Sequence, residues 1–374
     1  MDRRQFLKIT SAAVALGTMS SCANNQPKLS DRKRLYVDGL SFIPTDHQDV
    51  KASGLDAYIA DISSIEEVKQ PDGSINYKRT YQACLKSLKA AKAELSNHPD
   101  KYLIALRGSD IEKARIDSRC AVFFQIQGAD CVEGGFDQLD HFYDLGLRAL
   151  QLTHHYNNDY AGGALNLGNR GLTVKGHQLL ERLEQKRMLI DLSHSNVVTA
   201  EQTLLHAKGP IVQTHGAARA IVNNARCSPD HIIKGIADSG GVFGVFMMSW
   251  WLTNESVPRS EHLIDHLRHI KNIAGVDAVA IANDYPLRGQ NSILAAGNNN
   301  QVAMAGYGGW WQQMGQRGVL GFDREVNHIV IPELNHIKRM RSIEYLLKKS
   351  GFTTLEIDKV MGKNWQRVLI DVLG

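Results

Sequence analysis

Met188-Leu-Ile-Asp-Leu-Ser-His194 and Pro210-Ile-Val-Gln-Thr-His215 decide the fold. In each, bulky apolar and β-branched residues give way to small polar ones and end on histidine, as a buried strand does where it reaches an open edge. The step of 21 residues from one histidine to the next accommodates one helix and a returning strand, the repeat of a parallel α/β protein. Such folds hold ligands and metals at the carboxyl ends of their strands. The spacing therefore predicts two imidazoles on neighbouring strands, facing one cavity. Neutral imidazole suits zinc and other borderline cations, and an open coordination position leaves room for an activated water.

Working outward, similar apolar runs recur at 34–37, 57–62, 121–126, 148–152, 188–192, 211–213, 241–247 and 276–282. Between them lie stretches with apolar residues at three- and four-residue spacing, at 81–95, 176–185, 200–207, 230–238 and 261–273. Eight strands alternating with helices predict an α/β protein of the (β/α)₈ TIM-barrel class, although a doubly wound open sheet shares the alternation. After the last run, residues 289–309 are rich in Asn, Gly and Ala and read as a polar loop, a candidate lid. Residues 333–373 read as helices, with 362–367 packing the barrel base or a partner.

The amino terminus reads as an export signal. Arg3-Arg4 precedes an apolar, small-residue run from 9 to 19 that is too short to span a bilayer, so residues 1–25 are set apart as a twin-arginine signal peptide. Met19-Ser20-Ser21-Cys22 resembles a lipobox, making Cys22 a candidate lipid anchor and the protein an exported, periplasmic or membrane-anchored lipoprotein. No linker divides the remainder, and one domain over 30–374 is expected. Setting Asp2, Arg3, Arg4 and Lys8 aside from the 43 basic and 39 acidic residues leaves 40 and 38, a net of +2. That balance gives no case for nucleic acid as a partner. Cys84, Cys120, Cys131 and Cys227 contain no CxxC pair and define no disulfide framework.

Other strand ends carry polar residues too: Gln127, the His154-His155 doublet, and Asp284. In a barrel these converge on one mouth. A cation on His194 and His215 would polarise a carbonyl and supply hydroxide, with Asp284 accepting the water's proton and His154 stabilising the oxyanion. Arg226, eleven residues past His215, is placed to clamp a substrate carboxylate.

With these residues in view, the chain from about Tyr36 to its end resembles the membrane dipeptidase (renal dipeptidase) family of metal-dependent, amidohydrolase-like barrels. The likeness is carried by Asp38-Gly39, Gln127-Gly128, Leu152-Thr-His154, Asp191-Leu-Ser-His194, the run from Pro210 to His215, Arg226 and Asn283-Asp284. It implies a metallopeptidase acting in proteolysis on small dipeptides, often as a homodimer. In the family two zinc ions share a bridging glutamate. By that resemblance His194 and His215 hold one ion, Asp284 matches the aspartate of the other, His154 contacts substrate, and Arg226 binds its carboxylate. Three ligands depart from the pattern. The first-strand His-x-Asp pair falls on Leu40 and Phe42, and the bridging glutamate on Gln127, which keeps an oxygen but loses its charge. Asp46, His47 and Asp49 lie near enough in sequence to compensate. The expectation is one Zn²⁺ rather than two, on His194, His215 and Gln127, with Asp284 free to act as base. Two alternatives stand beside it: a non-hydrolytic peptide-binding pseudoenzyme, and an amidohydrolase acting on a lactam or cyclic amide.

Overall fold

Each of the eight expected strands is found in the computed structural model, which describes residues 34–69, 75–133 and 135–374. They are β1 (Val37–Ser41), β2 (Ala57–Asp61), β3 (Cys120–Gln127), β4 (Leu147–Gln151), β5 (Leu189–Asp191), β6 (Gln213–Gly216), β7 (Phe243–Val245) and β8 (Val279–Ile281). Parallel pairing runs β1-β2-β3-β4-β5 and β6-β7-β8. Two parallel bridges, Asp191 with Val212 and Ser41 with Tyr285, join these arcs into a ring. A closed ring of parallel strands with intervening helices is a TIM barrel, which settles the choice against an open sheet. The twin-arginine and Cys22 readings lie outside the described residues.

Alternation along the strands builds two shells. Val37, Ala57, Ile59, Ala121, Phe123, Ala149, Leu189, Val212 and Ala280 point inward and touch one another, while their neighbours Tyr58, Ala60, Val122, Phe124, Leu150 and Ile190 pack outward against the helices. All eight residues of β3 are buried, which is why such strands read as continuous apolar runs. The helix Asn364–Leu373 closes the lower end: Trp365 is fully buried in the inner shell and donates Nε1–H to the Ile281 carbonyl (2.9 Å). Gly39 makes room for it, since a Cβ there would lie 2.4 Å from Trp365 Cζ2.

Three features differ from expectation. The first strand starts at Val37 instead of residue 34, because the Asp56 carboxylate takes the Tyr36 N–H (2.9 Å) and draws it off the ladder. Two elements were not foreseen: a polar antiparallel hairpin, Glu66–Lys69 with Ile75–Lys78, which carries little apolar signal, and Tyr102–Ile104 beside β3, which is apolar but only three residues long. Residues 289–309 fold into short helices, Asn291–Ala295, Asn300–Met304 and the start of Gly308–Gln316. Cys84, Cys120, Cys131 and Cys227 are all buried.

Candidate metal centre and catalytic site

Asp191, at the end of β5, organises the mouth from beneath. Its buried carboxylate accepts from Gln125 Nε2 (2.5 Å), Ser193 N (2.9 Å) and Oγ (2.7 Å), and Thr214 N (2.9 Å) and Oγ1 (2.5 Å). Burial raises its pKa, and these hydrogen bonds oppose the rise. With its proton spent on Asp191, the Thr214 hydroxyl serves His215 as acceptor: His215 Nδ1 lies 3.0 Å from Thr214 Oγ1. The tautomer follows. Nδ1 carries the proton, and Nε2 presents a lone pair to the cavity.

His194 is fixed in the same sense. Arg226 Nη2 donates to its Nε2 (3.0 Å), and its Nδ1 stands 3.0 Å from Nδ1 of His155, to which it donates. Its Nε2 is then also a lone pair, 2.8 Å from Nε2 of His215. Both rings are kept neutral, their pKa values well below the ordinary histidine value through burial and then the charge of Arg226. Two such nitrogens at 2.8 Å call for positive charge beside them, which the Arg226 N–H supplies to His194 in this structure. A divalent cation fits that demand. Two nitrogens on one tetrahedral zinc stand about 3.3 Å apart, so the rings need open by only ~0.5 Å. The sequence-predicted pair is therefore brought together with the right atoms converging.

Backbone geometry aims these groups. His155, His194 and Asp284 have φ of 63°, 64° and 55°, a left-handed conformation that costs a non-glycine residue of order 1–2 kcal/mol. Each turn is pinned by a hydrogen bond: Leu165 N to His155 O (2.8 Å), Ala164 N to His194 O (2.8 Å), and Asp284 N to Leu40 O (2.9 Å). His154 stacks on His194 with ring centroids 4.2 Å apart. Burial, His155, Arg79 and Arg226 hold its pKa well down, so it acts as a neutral N–H donor. Burial pushes Asp284 up to about 7; Arg226 opposes this, and the charges of Asp61, Asp38 and Asp191 add to it.

Arg226 is 2 % exposed and lies against the faces of Trp251 (5.3 Å) and Phe246 (5.6 Å). Its Nε has no hydrogen-bond partner, and among the described residues no carboxylate pairs with it. Burial lowers its pKa to about 10, which leaves it charged at neutral pH. A buried cation without a counter-ion is poised for an anionic ligand. Gln127 turns its amide nitrogen to Asp61 Oδ2 (2.8 Å), leaving Oε1 as the atom with which it can meet a cation.

The compensation allowed to Asp46, His47 and Asp49 does not occur. Arg288 binds Asp46 (2.7 Å) and Asp49 (2.6 Å), while His47 turns to Tyr102 (3.0 Å) and Glu94 (3.4 Å). Leu40, where the family has its histidine, is wholly buried. One residue, Asp61, was missed, and another, His155, was named at its strand end but given no role. His155 groups with His154 and His194, their nitrogens lying within 4.8 Å of one another, and Asp61 stands at the end of β2 beside Gln127. Both had a signal, since each lies where a predicted strand ends. Just past the candidate lid, Trp310 in the helix Gly308–Gln316 stands 5.8 Å from the His155 ring.

The membrane dipeptidase family, peptidase family M19, matches residues 30–295. The chain belongs to that family. By type it is a metal-dependent dipeptidase, and the family implies a divalent metal. Among its relatives, the Klebsiella pneumoniae "Uncharacterized protein in pqqA 5'region" is 26% identical over 293 residues, 75% of this chain and 93% of that one. Dipeptidase verJ of Clonostachys rogersoniana is 26% identical over 193 residues; the match spans 51% of this chain and about half (50%) of that longer protein. A metallo peptidase from Rhodobacter sphaeroides, solved with a phosphinate mimic of the dipeptide L-Ala-D-Ala, superposes with a TM-score of 0.71 at 15% identity, covering 91% of this chain and all (100%) of that one. That last likeness establishes the barrel fold.

Proposed function

We propose that this chain hydrolyses a small dipeptide with one divalent cation, zinc by donor type, held by His194, His215 and the Gln127 carbonyl oxygen. The observation that carries this reading is the convergence of two buried Nε2 atoms 2.8 Å apart, with Thr214 Oγ1 behind His215 and His155 Nδ1 behind His194. The dipeptide mimic in the Rhodobacter sphaeroides metallo peptidase supports a substrate of that size. When bound, the cation supplies Lewis acidity for the scissile carbonyl and for the attacking water.

The remaining steps belong to side chains. Arg226 takes the substrate's free carboxylate in two parallel hydrogen bonds, exchanging its contact with His194 for a charge-assisted one. Asp284, titrating near neutrality, accepts the water's proton and passes it to the leaving amine. His154 donates N–H to the oxygen on which negative charge develops. Trp310 closes over His155 and limits water. The same reading has the enzyme exported on its Arg3-Arg4 leader and anchored through Cys22. Metal analysis alongside a dipeptide screen tests it: one equivalent of metal and turnover in the wild type, neither in His194→Ala. Dipeptide hydrolysis that persists in metal-free His194→Ala would refute it.

A further inference from the structure

Arg79 is a second cation at the mouth for which the mechanism has no use. It follows the hairpin strand Ile75–Lys78 and precedes Thr80, the cap of the helix Tyr81–Ser96. The residue is half-buried, its Nε is fully enclosed without a partner, and among the described residues its guanidinium forms no hydrogen bond or ion pair. Gly128, directly after Gln127, lies between Arg79 and His154: a Cβ built there would lie 2.9 Å from Asp130 Oδ2, 3.5 Å from His154 Cβ and 3.6 Å from Arg79 Cδ. Arg79 and His154 thus flank one backbone point at the end of β3. Two carboxylates neighbour Arg79: Asp61 accepts from Ser63 N (2.8 Å), Ser63 Oγ (2.6 Å) and Gln127 Nε2 (2.8 Å), and Asp130 accepts from Asn158 Nδ2 (3.3 Å).

Around the ring, Arg79 lies on the β2–β3 side, His154 and His155 follow β4, and Arg226 follows β6. The two guanidiniums therefore stand on opposite sides of the imidazoles, and both of their charges act on His154 and His155. A dipeptide whose terminal carboxylate lies on Arg226, with its scissile carbonyl near His194 and His215, directs its amino-terminal residue toward Arg79. Gln127 is neutral, so the carboxylates beside Arg79 are Asp61 and Asp130, and among the described residues neither forms an ion pair with its guanidinium.

We propose that the substrate carries two carboxylates, the carboxyl terminus held by Arg226 and an acidic side chain on the amino-terminal residue held by Arg79: an aspartyl- or glutamyl-dipeptide. This rests on the dipeptidase reading and specifies its substrate class. One charge-assisted pair separates an acid from its amide isostere by about 10- to 100-fold. Hence kcat/KM for Asp-Ala and Glu-Ala should exceed that for Asn-Ala and Gln-Ala by that factor. In Arg79→Met the ratio should fall to within about threefold of unity, and Arg79→Lys should keep part of it. Equal rates for acid and amide, a ratio that survives in Arg79→Met, or a preference for Ala-Asp over Asp-Ala would overturn the proposal. Titration calorimetry with the reduced-amide analogues of Asp-Ala and Asn-Ala separates it from the parent reading. If no dipeptide is cleaved, the dipeptidase reading fails. The proposal then stands on tighter binding of the Asp analogue that Arg79→Met abolishes, and falls if the two analogues bind equally. Should Arg79→Met not fold, the wild-type ratio and Arg79→Lys decide in the same way.

Discussion

Replacing Thr214 by valine removes one hydroxyl and almost no volume, and it should uncouple the cation site from its support. Thr214 Oγ1 donates to Asp191 (2.5 Å) and faces His215 Nδ1 at 3.0 Å. Without it, Asp191 keeps Gln125, Ser193 and the Thr214 main chain as donors, but the His215 N–H loses its acceptor in a fully buried position. An orphaned buried donor costs about 1–3 kcal/mol. The ring can relieve that cost by moving its proton to Nε2, and that tautomer cannot bind a metal. Loss of such a supporting contact weakens metal affinity by roughly 10- to 100-fold, or about 1.4–2.7 kcal/mol. Competition titration against a zinc chelator measures this directly, with turnover at saturating zinc as a second readout. Zinc affinity in Thr214→Val should fall by that factor, and Thr214→Ser should restore it. Unchanged affinity in a folded Thr214→Val protein would refute the tautomer argument, and with it the case for His215 as a ligand.

Asp284→Asn should lower kcat by about 10²–10⁴-fold, as expected for loss of a general base, while metal content is retained. In the wild type, kcat/KM should drop tenfold per pH unit below about 7, because Asp284 must be ionised to accept a proton and burial sets its pKa there; a flat profile from pH 5 to 8 would exclude it as the base. His266 is buried, taking the Ala218 N–H on Nδ1 (3.0 Å) and facing the Leu252 carbonyl through Nε2 (3.0 Å). Burial pushes it down to about 4 from the ordinary 6.5. The fold therefore favours the neutral ring, so this stability is full above pH 6.5 and is lost as pH falls toward 4. It amounts to about 3 kcal/mol, and urea titrations should show a steeper loss of stability from pH 6.5 toward 4 in the wild type than in His266→Gln, where the other buried histidines still contribute. Gly39→Ala should destabilise by about 1–3 kcal/mol, since its Cβ would meet Trp365 Cζ2 at 2.4 Å and Thr214 O at 2.8 Å; an unchanged urea midpoint would contradict the packing.

What could be read from the chain, and what could not, divides along a physical line. Parallel barrel strands are buried on both faces, so they announce themselves as short apolar runs, and all eight were legible. His194, His215, His154 and Asp284 were legible for a related reason: polar residues at the ends of such runs must point into the mouth. Asp191 and Thr214 sit inside or beside the runs, and their role depends on which neighbouring strand they face, which no periodicity states. Gln127 shows this best. Taken alone it is a glutamate that has lost its charge. Beside Asp61 it becomes half of a pair, because a glutamate there would set one buried carboxylate against another, whereas the amide donates to Asp61 at 2.8 Å. The negative charge has moved from the end of β3 to the end of β2 rather than vanished. Asp61 accepts from Gln127 and Ser63, and among the described residues it makes no ion pair with Arg79, whose charge still acts on it. One substitution on β3 and one carboxylate on β2 thus leave a guanidinium with no ion pair among the described residues on the side of the mouth where, in the proposed reading, the amino-terminal half of a dipeptide would lie.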